Sequence, residues 1–490
     1  MRFISCLIVL LCSAVLTAQD REGMILSNYH PVTGTYFNPS ASVDSRAFVQ
    51  ANLVGVNAGV HTNLLYLQQF SVIKTAQNPV MPQIKPVSGT KSKFLHLQAL
   101  ADGPSFYCST NKYGFGFFTR GRAVADFRRI PYQFTSFLFD GQEPAKEPEF
   151  SVRNGRMSEM SWLEYGLNFG YMIKRRRFDL FTAGINIKYL TGLNLQYLNL
   201  KRLDGTSNNT AISISQIEGV YRAVDLAFGS GKGFGADMGF TYKRMLKEID
   251  TYVAHSKQSS SNCKIVDYKF KVGVSLRDLG YISFKKGTNT MQLAGSGTIT
   301  QDGKVEEQIR ANFSLNEGSQ EKTRALLPFA LALNGDYNLG YSFYIGAALQ
   351  KGLLPNGSVG VLASDFIAIA PRFETRHIEV AIPFSMKRFN TPELGLALRI
   401  RSFVIGVDNL LPVIASSNTR AAGVYFNLGW TLFKNPKCGA GAGKIDDCSK
   451  DKKGSVKIKR KNSLLSAFPL KEKKQKRPFK KGRRNLFFQK

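Results

Sequence analysis

The sequence predicts an all-β protein: a transmembrane outer-membrane β-barrel of about 14 antiparallel strands followed by a basic C-terminal tail. Three observations carry this. Segments of about 9–12 residues alternate apolar and polar side chains, the length of a tilted strand crossing a bilayer. Aromatic residues gather at segment ends, as at Tyr165, Tyr171, Tyr189 and Tyr242, where interfacial girdles sit. The last patterned segment ends in Trp430-Thr431-Leu432-Phe433, an aromatic ending like that of many outer-membrane barrels.

From the N-terminus, Met1-Arg2 opens a leader whose apolar run is Phe3 to Leu16, with Ala18 as its last residue. The run is too short for a membrane anchor. Leu11 before Cys12 excludes lipidation there. No later window holds 18 consecutive apolar residues, so the exported chain is periplasmic, secreted or a barrel. The divisions expected are a signal peptide (1–18), an N-terminal periplasmic or plug segment (19–45), the barrel (46–434) and a basic periplasmic tail (435–490). Within the second, Asn38-Pro39 is a turn former that either seats a plug in the lumen or only leads into the first strand.

Strands are expected near 46–60, 93–108, 113–123, 162–175, 178–192, 233–245, 266–278, 326–338, 340–351, 357–369, 374–386, 393–401, 402–409 and 421–433. Short turns fit Asn338 to Gly340 and Leu353 to Gly357. The stretches 61–92, 124–160, 193–231 and 279–325 read as external loops or a lumen plug. Alternation assigns the faces. Leu163, Tyr165, Leu167, Phe169 and Tyr171 oppose Glu164, Gly166, Asn168 and Gly170; Phe234, Met238 and Phe240 oppose Asp237 and Gly239. In Tyr268 to Arg277, the residues Tyr268, Phe270, Val272, Val274 and Leu276 are expected to face lipid, opposite Lys269, Lys271, Gly273, Ser275 and Arg277. A soluble β-sandwich would also show one polar face. Strand length and aromatic placement favour the barrel, which must close because an unpaired edge in lipid costs several kcal/mol per group.

The lumen-facing candidates are Glu164, Asp237, Lys243, Lys269, Lys271, Arg277, Arg399 and Arg401. They line either a charged pore or the interior of a closed scaffold with paired charges. At this strand number side chains alone do not fill the lumen, so water, a plug or a partner must. No chemistry-bearing motif points to an enzyme or a cofactor. Gly229 to Gly235 (GSGKGFG) lacks the GK[ST] and helix of a phosphate loop. The five histidines have no metal-ligand spacing, and no GxSxG elbow occurs.

Near Lys434 the composition changes. Residues 451–490 hold 16 Lys or Arg against two acids, +14 of the chain's formal +31. Gly439 to Gly443 reads as a linker, and Cys438 and Cys448 are close enough in sequence for a local disulfide in an oxidising compartment. The tail can dock on an acidic partner or an anionic membrane surface, or extend into solvent; a periplasmic location argues against nucleic acid. Its docking candidates are Lys473, Lys474, Arg477, Phe479, Lys480, Lys481, Arg483, Arg484, Phe487 and Phe488.

Gly23 to Tyr29 (GMILSNY), Tyr36 to Arg46 (YFNPSASVDSR), Tyr268 to Gly287 and Val404 to Pro412 (VIGVDNLLP) together resemble a family of uncharacterised Bacteroidota outer-membrane barrels, a domain of unknown function. That family is broadly similar to fatty-acid-transporter-type and type IX secretion-associated barrels. The resemblance covers about 21–433 and implies location and fold; the basic tail is a departure from it. The functional expectation is a non-catalytic subunit or scaffold of a cell-envelope assembly, contacting membrane lipids and docking periplasmic or outer-membrane proteins through the tail. The alternative is a passive channel or transporter for small or hydrophobic solutes.

Overall fold

The computed structural model describes residues 21–433, apart from 78–82, 88, 90–91, 111, 134–148, 209–210, 250–265, 285–288, 301–307, 309–313, 318–321 and 390. The leader, the Cys438–Cys448 pair and the tail candidates lie outside the described residues.

Fourteen strands, each antiparallel to its neighbours, close into a barrel. They are β1 (Val49–Thr62), β2 (Lys93–Asp102 and Ser105–Ser109), β3 (Tyr113–Ile130), β4 (Glu149–Arg176), β5 (Asp179–Ser207), β6 (Ala211–Val224 and Gly231–Met245) and β7 (Tyr268–Phe284 and Asn289–Thr300). Then follow β8 (Ser314–Glu317, Thr323–Leu326 and Ala330–Gly340), β9 (Phe343–Gly352), β10 (Phe366–Glu374), β11 (Ile378–Ala381 and Phe384–Lys387), β12 (Thr391–Leu394 and Leu396–Ile400), β13 (Phe403–Val407) and β14 (Ala421–Leu432). β14 returns to β1 with the register Val49↔Leu432 to His61↔Ala421, so the sheet has no edge in the bilayer. Both ends of the barrel chain therefore lie at one rim. Among the described residues no helix is long and apolar enough to cross a membrane.

Alternation places the outward side chains as expected: Leu167, Phe169, Ile187, Phe234, Val274, Ile369 and Trp430 are exposed, whereas Glu164, Asn168, Asn186, Lys188, Asp237 and Lys271 are buried. Lipid solvates the first set at no cost. A charge at Ile369 has no such solvent, so Ile369→Arg is expected to lower barrel stability by about 2–4 kcal/mol, read as a fall in the urea midpoint in lipid vesicles.

Three expectations are corrected. First, parity reverses at the start of β7. The register passes from Arg244↔Phe270 to Met245↔Tyr268, leaving Lys269 unpaired as a bulge. Tyr268 is therefore buried inside and Lys269 exposed outside. Second, Arg401 is exposed at the β12–β13 turn with φ 56°, not in the lumen. Third, much of 124–160, 193–231 and 279–325 is wall rather than loop. β4 and β5 run 28 and 29 residues, on the order of 90 Å at about 3.3 Å per residue, far beyond a lipid band of about 25 Å. There the pattern inverts: Phe150, Val152, Leu200, Leu203, Ile212, Ile214 and Ile299 pack together, and Arg153, Lys201 and Glu218 face solvent. The expected turn Leu353 to Gly357 is mostly exposed and opens a longer segment, 353–365, whose middle, Val359 to Val361, is buried inside.

Candidate functional site

The N-terminal segment is a plug. Residues 21–46 sit inside the barrel and are buried nearly throughout, as a helix α1 (Pro31–Phe37) followed by a 3₁₀ turn (Pro39–Ser42). Pro31 and Pro39 pre-set the first position of each. Asn38 joins them. Its Oδ1 accepts from Ser40 N at 3.1 Å and Ser40 Oγ at 2.8 Å, and its Nδ2 donates to Phe240 O and Thr241 Oγ1, both at 3.2 Å. The Asn38-Pro39 pair is thus both a turn former and an anchor to β6.

The wall is shaped to receive this plug. Gly114, Gly170, Gly184, Gly239 and Ser275 are register partners in a row across β3 to β7. A Cβ on Gly114 would come 2.5 Å from Val43 N, and one on Gly170 2.7 Å from Ser42 Oγ; at Gly184 it would overlap the Pro39 carbonyl and at Gly239 the Asn38 amide. Real Cβ atoms do not approach so closely, so these four positions must be glycine for the plug to seat. Ser275 Oγ donates to Phe37 O at 2.6 Å.

Around the plug, wall charges find plug partners. Arg21 pairs with Asp102 at 2.5 Å and Arg46 with Asp267 at 2.5 Å. Glu22 pairs with Lys387 and Asp44 with Lys243. Ser27 Oγ donates to Glu379 at 2.7 Å, and Asn28 N and Nδ2 to Glu374 at 2.7 and 2.8 Å. A cavity of about 40 Å³ remains between plug and wall beside Lys243, Lys271 and Asn334, room for about one water molecule. The plug occupies the lumen at this level and compensates part of its charge, and the remaining wall charges pair with one another.

Above the plug lies a buried charge cluster. Lys188 bridges Asp237 (2.7 Å) and Asp278 (2.6 Å). Arg122 bridges Glu164 and Asp278, both at 2.9 Å. Trp162 Nε1 donates to Glu164 at 2.9 Å. Asp278 enters because a register shift lets Arg277 and Asp278 both point inward, with Asp278 at φ 57°, a conformation Asp tolerates better than most residues. Tyr36 of α1 lies under three guanidinium groups, Arg277 at 4.3 Å, Arg120 at 4.6 Å and Arg122 at 5.7 Å, a cation–π seat for the plug.

Directly beyond this cluster the interior becomes apolar. Trp162 and Leu190 stand two residues above Glu164 and Lys188 on the same strand faces. They pack with Met160, Tyr197, Ile282, Phe284 and Leu327. Val359 and Val361 enter this cluster from the segment 353–365. Leu326 N donates to Val359 O at 2.8 Å and Arg156 Nη2 to Gly360 O at 2.7 Å. Gly360 has φ 146°, which only glycine adopts without strain.

Of the lumen candidates, Glu164, Asp237, Lys243, Lys271, Arg277 and Arg399 point inside. Lys271 reaches Asn28 Oδ1 at 3.3 Å and Asp336 at 3.5 Å; Arg277 contacts Gln350 and Arg399 pairs with Glu379 at 2.7 Å. Arg122, Lys188, Asp278, Arg372, Glu374 and Glu379 were missed as site residues. Lys188 had the right parity in the sequence; Asp278 had the wrong one, because a bulge carries no sequence signature of its own.

The model of a family of unknown function (DUF5723) matches residues 39–408. No curated protein matches by sequence. Among solved structures, the chain is similar to the Pseudomonas putida toluene transporter TodX (9% identity, 84% of this chain and 96% of that one, TM-score 0.38). It is also similar to the Ralstonia pickettii toluene transporter TbuX (10% identity, 83% and 96%, TM-score 0.38) and to the outer-membrane protease OmpT of Escherichia coli (6% identity, 78% and 95%, TM-score 0.22). The activity in each of those names is that protein's own.

Proposed function

The chain belongs to the DUF5723 family, and from that premise we propose that it is a gated outer-membrane channel for small apolar solutes. The observation that carries this reading is the stacking inside the barrel: a packed apolar cluster around Trp162, Leu190 and Phe284 lies beyond the buried charges that separate it from the plug, and we read it as a chamber filled in the resting state. The cluster also serves as the core of the wall beyond the lipid band, and an apolar solute that enters it gains from burial at about 25 cal/mol per Å². In this reading Val359 and Val361 occupy the chamber when solute is absent, and the plug closes the far side. Solute displaces the first, and passage requires the second to shift. A subunit role rests on the tail alone, and nothing among the described residues supports it.

The chain has two tryptophans. Trp162 is fully buried in the chamber wall and Trp430 is 57% exposed on the lipid face. In a Trp430→Phe variant, Trp162 is the sole indole. A short bromoalkane is expected to quench it with saturation, and Leu190→Arg to abolish that quenching by placing a charge in the chamber. Linear, non-saturating quenching identical in both proteins would show that the bromoalkane arrives only through the lipid, and the reading would fail.

A further inference from the structure

The outer wall carries a feature that the lumen does not use. On the lipid face of β4 to β7 an apolar groove of about 490 Å³ is lined by Phe169, Ile185, Met238, Phe240, Val274 and Leu276, with Gly184 and Gly239 among its lining residues. These glycines belong to the row that seats the plug. Their Cβ positions face the plug, so on the outer side they present only backbone, and the trough floor lies between the flanking apolar side chains.

The same four strands change chemistry toward the rim where the barrel chain begins and ends. Two residues below Phe240, an aromatic row runs through Phe181, Tyr242 and Phe270, with centroids 4.8 and 5.8 Å apart, the chemistry of a bilayer interface. Cations follow. Lys174, Arg176 and Lys269 are exposed, and Arg244 pairs with Asp179 at 2.7 Å. Two of these cations sit at bulges: the register shift between Met172 and Lys174 on β4 and the Lys269 bulge on β7. Apolar trough, aromatic belt and cations succeed one another along one face, about 10 Å separating Tyr171 from Lys174 at roughly 3.3 Å per residue.

We propose that this face binds one anionic glycerophospholipid, an acyl chain in the trough and the phosphate among Lys174, Arg176 and Lys269. Charge complementarity selects the occupant: the face carries Lys174, Arg176, Lys269 and Arg244 against one carboxylate, Asp179, a net positive charge that a neutral lipid or detergent in the trough leaves uncompensated. The site is independent of the lumen and of what passes through it.

The test is native mass spectrometry of the full-length protein in a mild nonionic detergent, given equal dioleoyl phosphatidylglycerol and dioleoyl phosphatidylcholine. One retained phosphatidylglycerol is expected, in roughly tenfold excess or more over phosphatidylcholine, given near-surface attraction of anionic lipid by each Lys or Arg. The variant Lys174→Gln/Arg176→Gln/Lys269→Gln should retain either lipid equally. Ala183→Trp, which fills the trough from its lipid side, should lose both adducts. Equal retention of the two lipids by the unaltered protein overturns the proposal without any variant having to fold. Adducts unchanged in both variants, with the barrel still shifting on unheated gels, overturn it as well.

Discussion

Asp278→Ala is expected to lower the stability of the barrel by about 3–5 kcal/mol, the cost of leaving a buried charge without its partner. Asp278 is 3% exposed and meets both Arg122 and Lys188 within 2.9 Å. Without it, three cations (Arg122, Lys188 and Arg277) face only Glu164 and Asp237 in a space filled by α1. Adding Lys188→Met removes one of those cations and substitutes an apolar side chain next to Leu190, so the double variant should recover most of the loss; replacing a buried pair by well-packed apolar groups is often neutral. The urea midpoints of the four proteins give the coupling directly. The outcome also reports on the lumen. If water reached this cluster freely, each pair would contribute only about 0–1 kcal/mol, and single and double variants would be indistinguishable. That result would sink the description of a filled interior.

The second large effect is on the plug. Gly184→Val and Gly239→Leu put side-chain atoms where Pro39 and Asn38 now lie. The outward side chains of β5 and β6 are untouched, and the barrel is expected to form. Overpacking a tight contact costs typically about 1–3 kcal/mol, which multiplies the fraction of molecules with the plug unseated by about 5–150-fold. Two readouts should move together: the rate at which protease cuts within 21–46, and the single-channel conductance in planar bilayers. Gly229→Val is the control. Nothing lies within 4 Å of its Cβ, although its φ of 77° strains any side chain, so it should alter neither readout while costing some stability. Conductance and cleavage unchanged in Gly184→Val, with the barrel intact, would mean that the plug does not close the pathway.

Within the lipid band, period-two alternation specified each side chain's face, because lipid and lumen solvate opposite chemistries. Leu167 and Glu164, or Phe234 and Asp237, could therefore be assigned to opposite sides without any knowledge of neighbours. The same rule misled beyond the band. There the solvent outside is water, and the useful signal is reversed, with Phe150 and Val152 inside and Arg153 outside. Read as loops, those segments hid both the length of β4 and β5 and the apolar cluster they build.

The sequence by itself determined the closed antiparallel barrel, its strand number and the inward direction of Glu164, Asp237, Lys243, Lys271, Arg277 and Arg399, since each follows from local periodicity and from the demand that backbone groups in lipid be paired. Only the tertiary structure decided that residues 21–46 fill the lumen, that Gly114, Gly170, Gly184 and Gly239 align into one seat, and that Lys269 and Tyr268 exchange faces. Those features depend on register between strands up to about 125 residues apart in the chain. Register is the sum of every bulge along a strand, and one unpaired residue reverses all the faces beyond it.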